Sequence, residues 1–483
     1  MAQLRYMRKA RSQFWRNNRT RTILAELDPT SESIEYCGHP VVSADSDLNT
    51  LCSWNTSKDG KSTYVPGSPP IWTPRSKPYK LRKPSAETNR RRRVDMVGVN
   101  SAFFHALGVE RPSFNLTDTD IIAKSSILIK LFLCAAGVEL EKSLNIDLSL
   151  VGNTLLLNTY IHPQKINDFY HYPGADLKTW YGMAFEDEWT TRMPELKDTN
   201  HMRAVQYTLG DLNCIVQSQQ DAYLEMPREK PSGGTISKLI GRAPTLIEKE
   251  GEENELKVNT ARLYAYGHKY DASKLAEIKM NMNKEYIFQH EARLWLSRIP
   301  NCIFGSPGTD PGVISNTYIR NAKQHYPEWE EKHHRPLRQF TGLLRTTLDI
   351  MKRAPSGNGK MWYNISKRKL IIETYGPNET PMSIVSTKFR DQFWPGLPRP
   401  EPEDMRSTLQ LGTGSEYTSV LFSGSPVKQN APLSGTIVSS KAPTPPKSVS
   451  ENIKRSIGLF IARSLSVATV FTIVEGAGVP DVT

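Results

Sequence analysis

A chain of 483 residues has room for one large domain or two ordinary ones, and its 38% hydrophobic and 23% charged residues suit a folded body diluted by polar segments, with 33 prolines above the usual share. The formal charge of +12 sits mostly at one end, because the first 93 residues hold 18 Lys and Arg against 8 Asp and Glu; any anion-binding groove in the remainder is only locally basic. Cys37, Cys52, Cys134, Cys214 and Cys302 stand far apart with no C-x-x-C pair, which argues against a disulfide framework or a cysteine zinc site and for a reducing compartment.

Met1 to Thr22 is rich in arginine and has no acid before Glu26, which is the texture of a mitochondrial presequence; a solvated basic tail is the favoured reading. No secretory apolar run is present at this end. Residues 40–97 carry Pro66-Gly67-Ser68-Pro69-Pro70, further prolines, and the basic runs Lys80-Leu81-Arg82-Lys83 and Arg90-Arg91-Arg92-Arg93. Residues 1–97 are therefore expected to form a basic, proline-rich and largely unstructured arm, whose basic runs suit a nuclear localisation signal, a nucleic-acid patch or simple solvation.

A folded domain is expected over 98–394. Ile121 to Leu140 is apolar enough for a buried helix, Thr154 to Ile161 is β-prone, and Arg203 to Glu225 reads as two strands joined at Leu209-Gly210-Asp211. Leu275 to Met280 predicts a strand, and Tyr286 to Ile299 a helix ended by Pro300. Strands over 302–304 and 313–319, helix over 328–353 with a break at Pro336, and strands over 361–365 and 369–375 complete a mixed α/β sheet with flanking helices. Residues 395–455 read as a Pro/Ser-rich tail. The apolar segment 456–483 contains Arg463, which argues for a packed or surface helix over a membrane span, so no membrane partner is expected.

The chemistry-bearing pattern begins at Glu277-Ile278-Lys279, inside the apolar run Leu275 to Met280. The strand period of two puts Glu277 and Lys279 on one face and Ile278 on the other. There a carboxylate can hold a divalent cation while an ammonium orients a water for attack on phosphorus. Taken alone, E-x-K is common. Asp221, at the end of the preceding strand, adds a second acid, although most aspartates in such places begin turns. Tyr181-Gly182-Met183-Ala184-Phe185-Glu186 adds a third, upstream.

In this order the three segments resemble the motifs G-x-x-F-E, E-x-D and E-x-K of the DXO-type decapping exoribonucleases, a group within the PD-(D/E)XK nuclease-like superfamily. The likeness runs from about residue 175 to 350 and includes Leu294-Trp295-Leu296-Ser297-Arg298-Ile299-Pro300 and the helix around Leu337 to Leu344. It implies a sheet-based fold that uses Mg2+ or Mn2+ to hydrolyse RNA at its 5′ end, by decapping, pyrophosphate removal or 5′ to 3′ digestion. Carried over by position, Glu186, Asp221 and Glu277 would ligate metal, and Asp221, Glu277 and Lys279 would form the catalytic set. Two departures stand out. Gln219 replaces an acid two residues before Asp221, and Arg293 takes the place of a glutamine facing the site; both are assigned to substrate binding, and Arg293 would also repel a cation.

The leading expectation is thus an intracellular RNA 5′-end hydrolase, in the nucleus rather than the mitochondrion, with RNA as partner. The alternatives are a catalytically inactive scaffold of the same fold that binds RNA or a protein, and a DNA nuclease of the same superfamily. Ser356-Gly357-Asn358-Gly359-Lys360 lacks the first glycine and the Ser/Thr of a phosphate loop and is read as a turn. Glu188 is read as an exposed acid rather than a spare ligand.

Overall fold

The structure is a computed structural model describing residues 21–34, 48–57, 60–82, 100–138, 140, 144–159, 177–225, 243–249, 262–280, 284–375 and 385–398. The chain divides into two units, Met1–Glu416 and Tyr417–Thr483, and every described residue belongs to the first. The apolar segment 456–483 and nearly all of the expected tail therefore lie outside the described residues, as does Cys37.

The chain opens with strands β1 (Ile23–Leu27), β2 (Asn49–Ser57), β3 (Ser62–Gly67), β4 (Ile71–Trp72) and β5 (Tyr79–Lys80). Helix α1 (Ser101–Glu110), β6 (Ile121–Lys124), α2 (Ser125–Ala135), β7 (Asn145–Val151), β8 (Thr154–Thr159) and α3 (Leu177–Glu188) follow. Next come β9 (Thr190–Thr191), β10 (Thr199–Leu209), β11 (Leu212–Gln219), β12 (Ala222–Tyr223), β13 (Thr245–Lys249), β14 (Arg262–Gly267) and β15 (Leu275–Met280). The last elements are α4 (Lys284–Ser297), β16 (Asn301–Pro307), β17 (Val313–Asn321), α5 (Tyr326–Lys332), α6 (His334–Arg353), β18 (Asn358–Asn364), β19 (Lys369–Glu373) and α7 (Thr387–Phe393).

Among the described residues the strands form two mixed sheets. The larger runs β1-β19-β18-β7-β8-β6-β11-β10-β2-β3-β14-β13 and the smaller β5-β17-β16-β15-β12-β4-β9. Strict alternation explains how the larger sheet is covered on both faces. Ile121, Ala123, Leu155, Leu157, Cys214 and Val216 face a core shared with α2, α4 and α6, including Phe132, Trp295 and Phe340. Ile122, Leu156 and Ile215, between them, face a second core with Phe103 and Phe104 of α1 and with Phe389, Phe393 and Trp394. On the smaller sheet, Ala276, Ile278 and Ile303 meet Ala184 and Phe185 of α3, together with Trp189. Gly305 permits this contact, since a Cβ there would lie 2.7 Å from Phe185 Cε1.

The mixed α/β architecture expected from the sequence is the one observed. The hairpin joins β10 to β11 with Leu209 opposite Leu212, and Gly210 adopts φ +64° at the turn. Of the segment read as a turn, Ser356 and Gly357, the latter at φ +63°, turn the chain, whereas Asn358, Gly359 and Lys360 already belong to β18. Cys52, Cys134, Cys214 and Cys302 are buried free thiols. No helix among the described residues is long and apolar enough to cross a membrane.

Two expectations need correction. The run from Ile121 is a strand followed by a helix, because Ile121 to Lys124 completes the larger sheet between β8 and β11 before α2 begins at Ser125. Within the supposed unstructured arm, residues 23–80 supply strands to both sheets and bury Leu51, Cys52, Trp54 and Val65. The prolines mask this in the sequence, since alternation survives in short strands between them: in β3, Thr63, Val65 and Gly67 are buried and the residues between them only partly so.

Strand β10 also carries a buried polar pair. His201 Nδ1 lies 2.8 Å from Asn55 Oδ1 and its Nε2 2.9 Å from the Tyr270 hydroxyl. Asn55 Oδ1 can only accept, so Nδ1 donates; the Tyr270 hydroxyl can donate or accept, and toward a neutral ring it donates to Nε2. Burial, with Arg203 and His268 adding to it, pushes the His201 pKa down to about 3. The unfolded chain takes up this proton near pH 6.5 and the folded chain does not, so stability is lost as pH falls from about 6.5 toward 3, by roughly 1.4 kcal/mol per pH unit from this residue. Thermal melts followed by circular dichroism should therefore show Tm falling below pH 6.5, and His201→Gln should flatten that slope; equal slopes in both proteins would refute the neutral buried ring.

Candidate active site

The site forms where the chain leaves one sheet for the other. Asp221 stands between β11 of the larger sheet and β12 of the smaller. Its Oδ2 accepts the Ile278 backbone N–H at 3.2 Å, which ties the crossing point to the middle of β15. Ala276 and Ile278 face the α3 core, so Glu277 and Lys279 face the other side, as the alternation predicts.

On that face Lys279 Nζ donates to Glu277 Oε1 at 2.5 Å and to the Ile278 carbonyl at 2.9 Å, and lies 3.8 Å from Asp221 Oδ2. Arg293 reaches in from α4, with Nε 2.8 Å from the same Glu277 Oε1. The acids are deeply buried and the bases less so: the side chains of Glu277 and Asp221 are 1% and 3% exposed, those of Lys279 and Arg293 15% and 37%. Glu277 Oε2 is buried without a hydrogen-bond partner. Gln219, the residue in the place of an acid, offers Nε2 to Asp221 Oδ1 at 3.5 Å, a marginal bond.

Charge balance sets the protonation states. Burial works against the Glu277 carboxylate, but Arg293 and Lys279 outweigh it and bring its pKa down to about 2. Asp221 moves the other way, raised by burial and by Glu277 and only partly relieved by Lys279 and Arg293. Burial opposes the Lys279 ammonium, yet Glu277 and Asp221 hold its pKa above the usual lysine value. Two carboxylates that disturb each other around one ammonium are the arrangement in which acid and base roles separate.

Asp221, Glu277, Lys279 and Arg293 are thus brought together, with Gln219 beside them. Glu186 lies on α3, which packs on the Ile278 side of β15, and is the weakest of the acids raising the pKa of Arg293. Among the described residues no group of three or more His, Cys, Asp or Glu side chains is placed to hold a metal ion, so Glu186, Asp221 and Glu277 do not close into a three-acid cage. Glu188 serves the fold, accepting from Tyr79 Oη at 2.8 Å and from the Arg82 backbone N–H at 2.9 Å. His290 was not singled out from the sequence. It sits one helical turn before Arg293, and burial together with Lys279 lowers its pKa to about 4, so the imidazole is neutral beside the site. The signal was its i, i+3 spacing from Arg293 on α4.

The chemistry of the Asp221 and Glu277 carboxylates suits a divalent cation. Mg2+ is commonly held by one or two carboxylates, with water and substrate phosphates completing the shell. The partnerless Glu277 Oε2, close to a second carboxylate whose proton affinity is raised, supplies that chemistry.

These features define a mixed-sheet α/β protein with a buried acid and base cluster at the junction of its sheets. The chain belongs to the family described as "Domain of unknown function (DUF8563)", which matches residues 30–394. No curated protein matches it. Among solved structures it is similar to Scheffersomyces stipitis Rai1 in complex with (3'-NADP)+ and calcium ion, at 11% identity over 76% of this chain and 99% of that one, with a TM-score of 0.49. It is also similar to Candida albicans Rai1 in complex with pU5-Mn2+, at 10% identity over 80% and 99%, TM-score 0.46, and to K. lactis Dxo1 in complex with manganese, at 10% identity over 75% and 97%, TM-score 0.39.

Removing the Glu277 charge leaves the Lys279 ammonium without its main counter-ion in a buried setting, a change that costs about 3 kcal/mol or more. Glu277→Gln is expected to lower Tm by roughly 3 to 5 °C in calorimetry at neutral pH, the unfolding entropy of so large a unit keeping the shift small. An unchanged Tm would mean that the ion cluster is not formed.

Proposed function

We propose that this chain acts on RNA 5′ ends as a metal-dependent hydrolase of the DXO type, with a site weaker in metal than the motif would dictate. The observation that carries the proposal is the convergence of Asp221, Glu277 and Lys279, where one ammonium spans two buried carboxylates on an E-x-K strand. When bound, Mg2+ or Mn2+ would supply charge stabilisation and a more acidic water, held by Asp221 and Glu277. Lys279, carrying its proton at neutral pH, would position the nucleophile and a phosphate oxygen. Arg293 and the Gln219 amide are the groups available to an incoming 5′ phosphate.

The second reading is a non-catalytic scaffold for RNA or a protein, favoured by Arg293 occupying Glu277 and by the neutral Gln219. The basic arm suits either reading, with the nucleus as the proposed compartment and the mitochondrion as its rival.

Incubation of the full chain with Mg2+ or Mn2+ and 5′-triphosphorylated or capped RNA, followed by product analysis, separates them. The proposal expects product that disappears with chelator and falls about 100-fold or more in Glu277→Ala and Lys279→Ala, the loss typical of removing a charged group that acts in the transition state. Wild type indistinguishable from Glu277→Ala leaves the scaffold. Single- and double-stranded DNA in the same assay tests the choice of nucleic acid.

A further inference from the structure

The two oxygens of the Glu277 carboxylate are in different states. Oε1 takes both Lys279 Nζ at 2.5 Å and Arg293 Nε at 2.8 Å, while Oε2 is buried and unpartnered. A dication entering beside Oε2 would share one carboxylate with two positive groups in a poorly screened setting, where like charges a few ångströms apart repel strongly.

The two bases differ in how firmly they are placed. Lys279 is held by three oxygens, those of Glu277, Asp221 and the Ile278 carbonyl, and is more buried. Arg293 extends from the side of α4 and its side chain is 37% exposed, so its guanidinium has solvent within reach. A guanidinium stays protonated at any accessible pH, so it can only move away and cannot be neutralised.

We infer that Arg293 is a built-in counter-ion that competes with divalent cations for Glu277, so that the Arg293–Glu277 ion pair and a bound cation exclude each other. This rests on the reading above, in which Asp221 and Glu277 hold the cation. It adds that the resting site is closed by its own arginine, and that cation affinity is set by what draws Arg293 away.

The test is Mn2+ titration of the full chain, reading free Mn2+ by its electron paramagnetic resonance signal, in wild type and in Arg293→Gln, Arg293→Met and Arg293→Lys. Both neutral variants should bind Mn2+ about tenfold or more tightly than wild type, and Arg293→Lys should return toward the weak wild-type affinity. Arg293→Met keeps most of the apolar stem and gives an independent answer should the amide variant misfold. Adding Glu277→Ala to a neutral variant should abolish the gain. Equal Mn2+ affinity in wild type and both neutral variants, still lost with Glu277→Ala, overturns the competition while leaving the cation site standing. No Mn2+ bound by any of them at millimolar concentration overturns the cation site and the competition together.

Discussion

The buried carboxylate of Glu277 is the constraint around which the junction of the two sheets is organised. An ion taken out of water costs several kcal/mol and persists only when its partners are well placed. Here the partners come from two elements: Lys279 from the same strand two residues on, and Arg293 from the helix that follows. Asp221 joins them because its Oδ2 accepts the Ile278 N–H, which fixes the crossover between the sheets against the centre of β15. The cluster therefore does structural work whatever its chemistry. Electrostatic closure ties the smaller sheet to the larger where the chain passes from β11 to β12 through Asp221.

Much of this was legible in the sequence. The E-x-K spacing and an apolar strand sufficed to put Glu277 and Lys279 on one face, because a strand admits only two faces. The hairpin at Gly210 and the helix ending before Pro300 were equally local. What escaped depends on distant partners. The strands within residues 23–80 look like linker in isolation, since their burial is supplied by elements far along the chain, such as β10 against β2 and β14 against β3. The place of Glu186 is a similar case: its motif order matches, but whether a helix brings its carboxylate to a strand's far face is decided by how Phe185 packs on Gly305, and no spacing rule encodes that. His290 escaped because its one mark, the i, i+3 spacing from Arg293, has no meaning until the strand beneath the helix is known.

The charge count then frames what the site can bind. Asp221 and Glu277 contribute two negative charges, Lys279 and Arg293 two positive, and Gln219 adds none, so the local cluster is near neutral before the weaker field of Glu186 is included. A cage with surplus negative charge captures a cation outright, whereas a balanced one gains little by doing so unless one of its own cations departs. Of the two, only Arg293 is free to depart, and an anionic phosphate is the natural group to receive a guanidinium. On the proposed reading, cation and RNA 5′ phosphate would therefore arrive together, the phosphate accepting Arg293 and completing the metal shell that two carboxylates leave open. That coupling would make the balanced cluster a filter for substrate-bound metal, and it explains physically why an arginine facing two carboxylates need not mark a dead site.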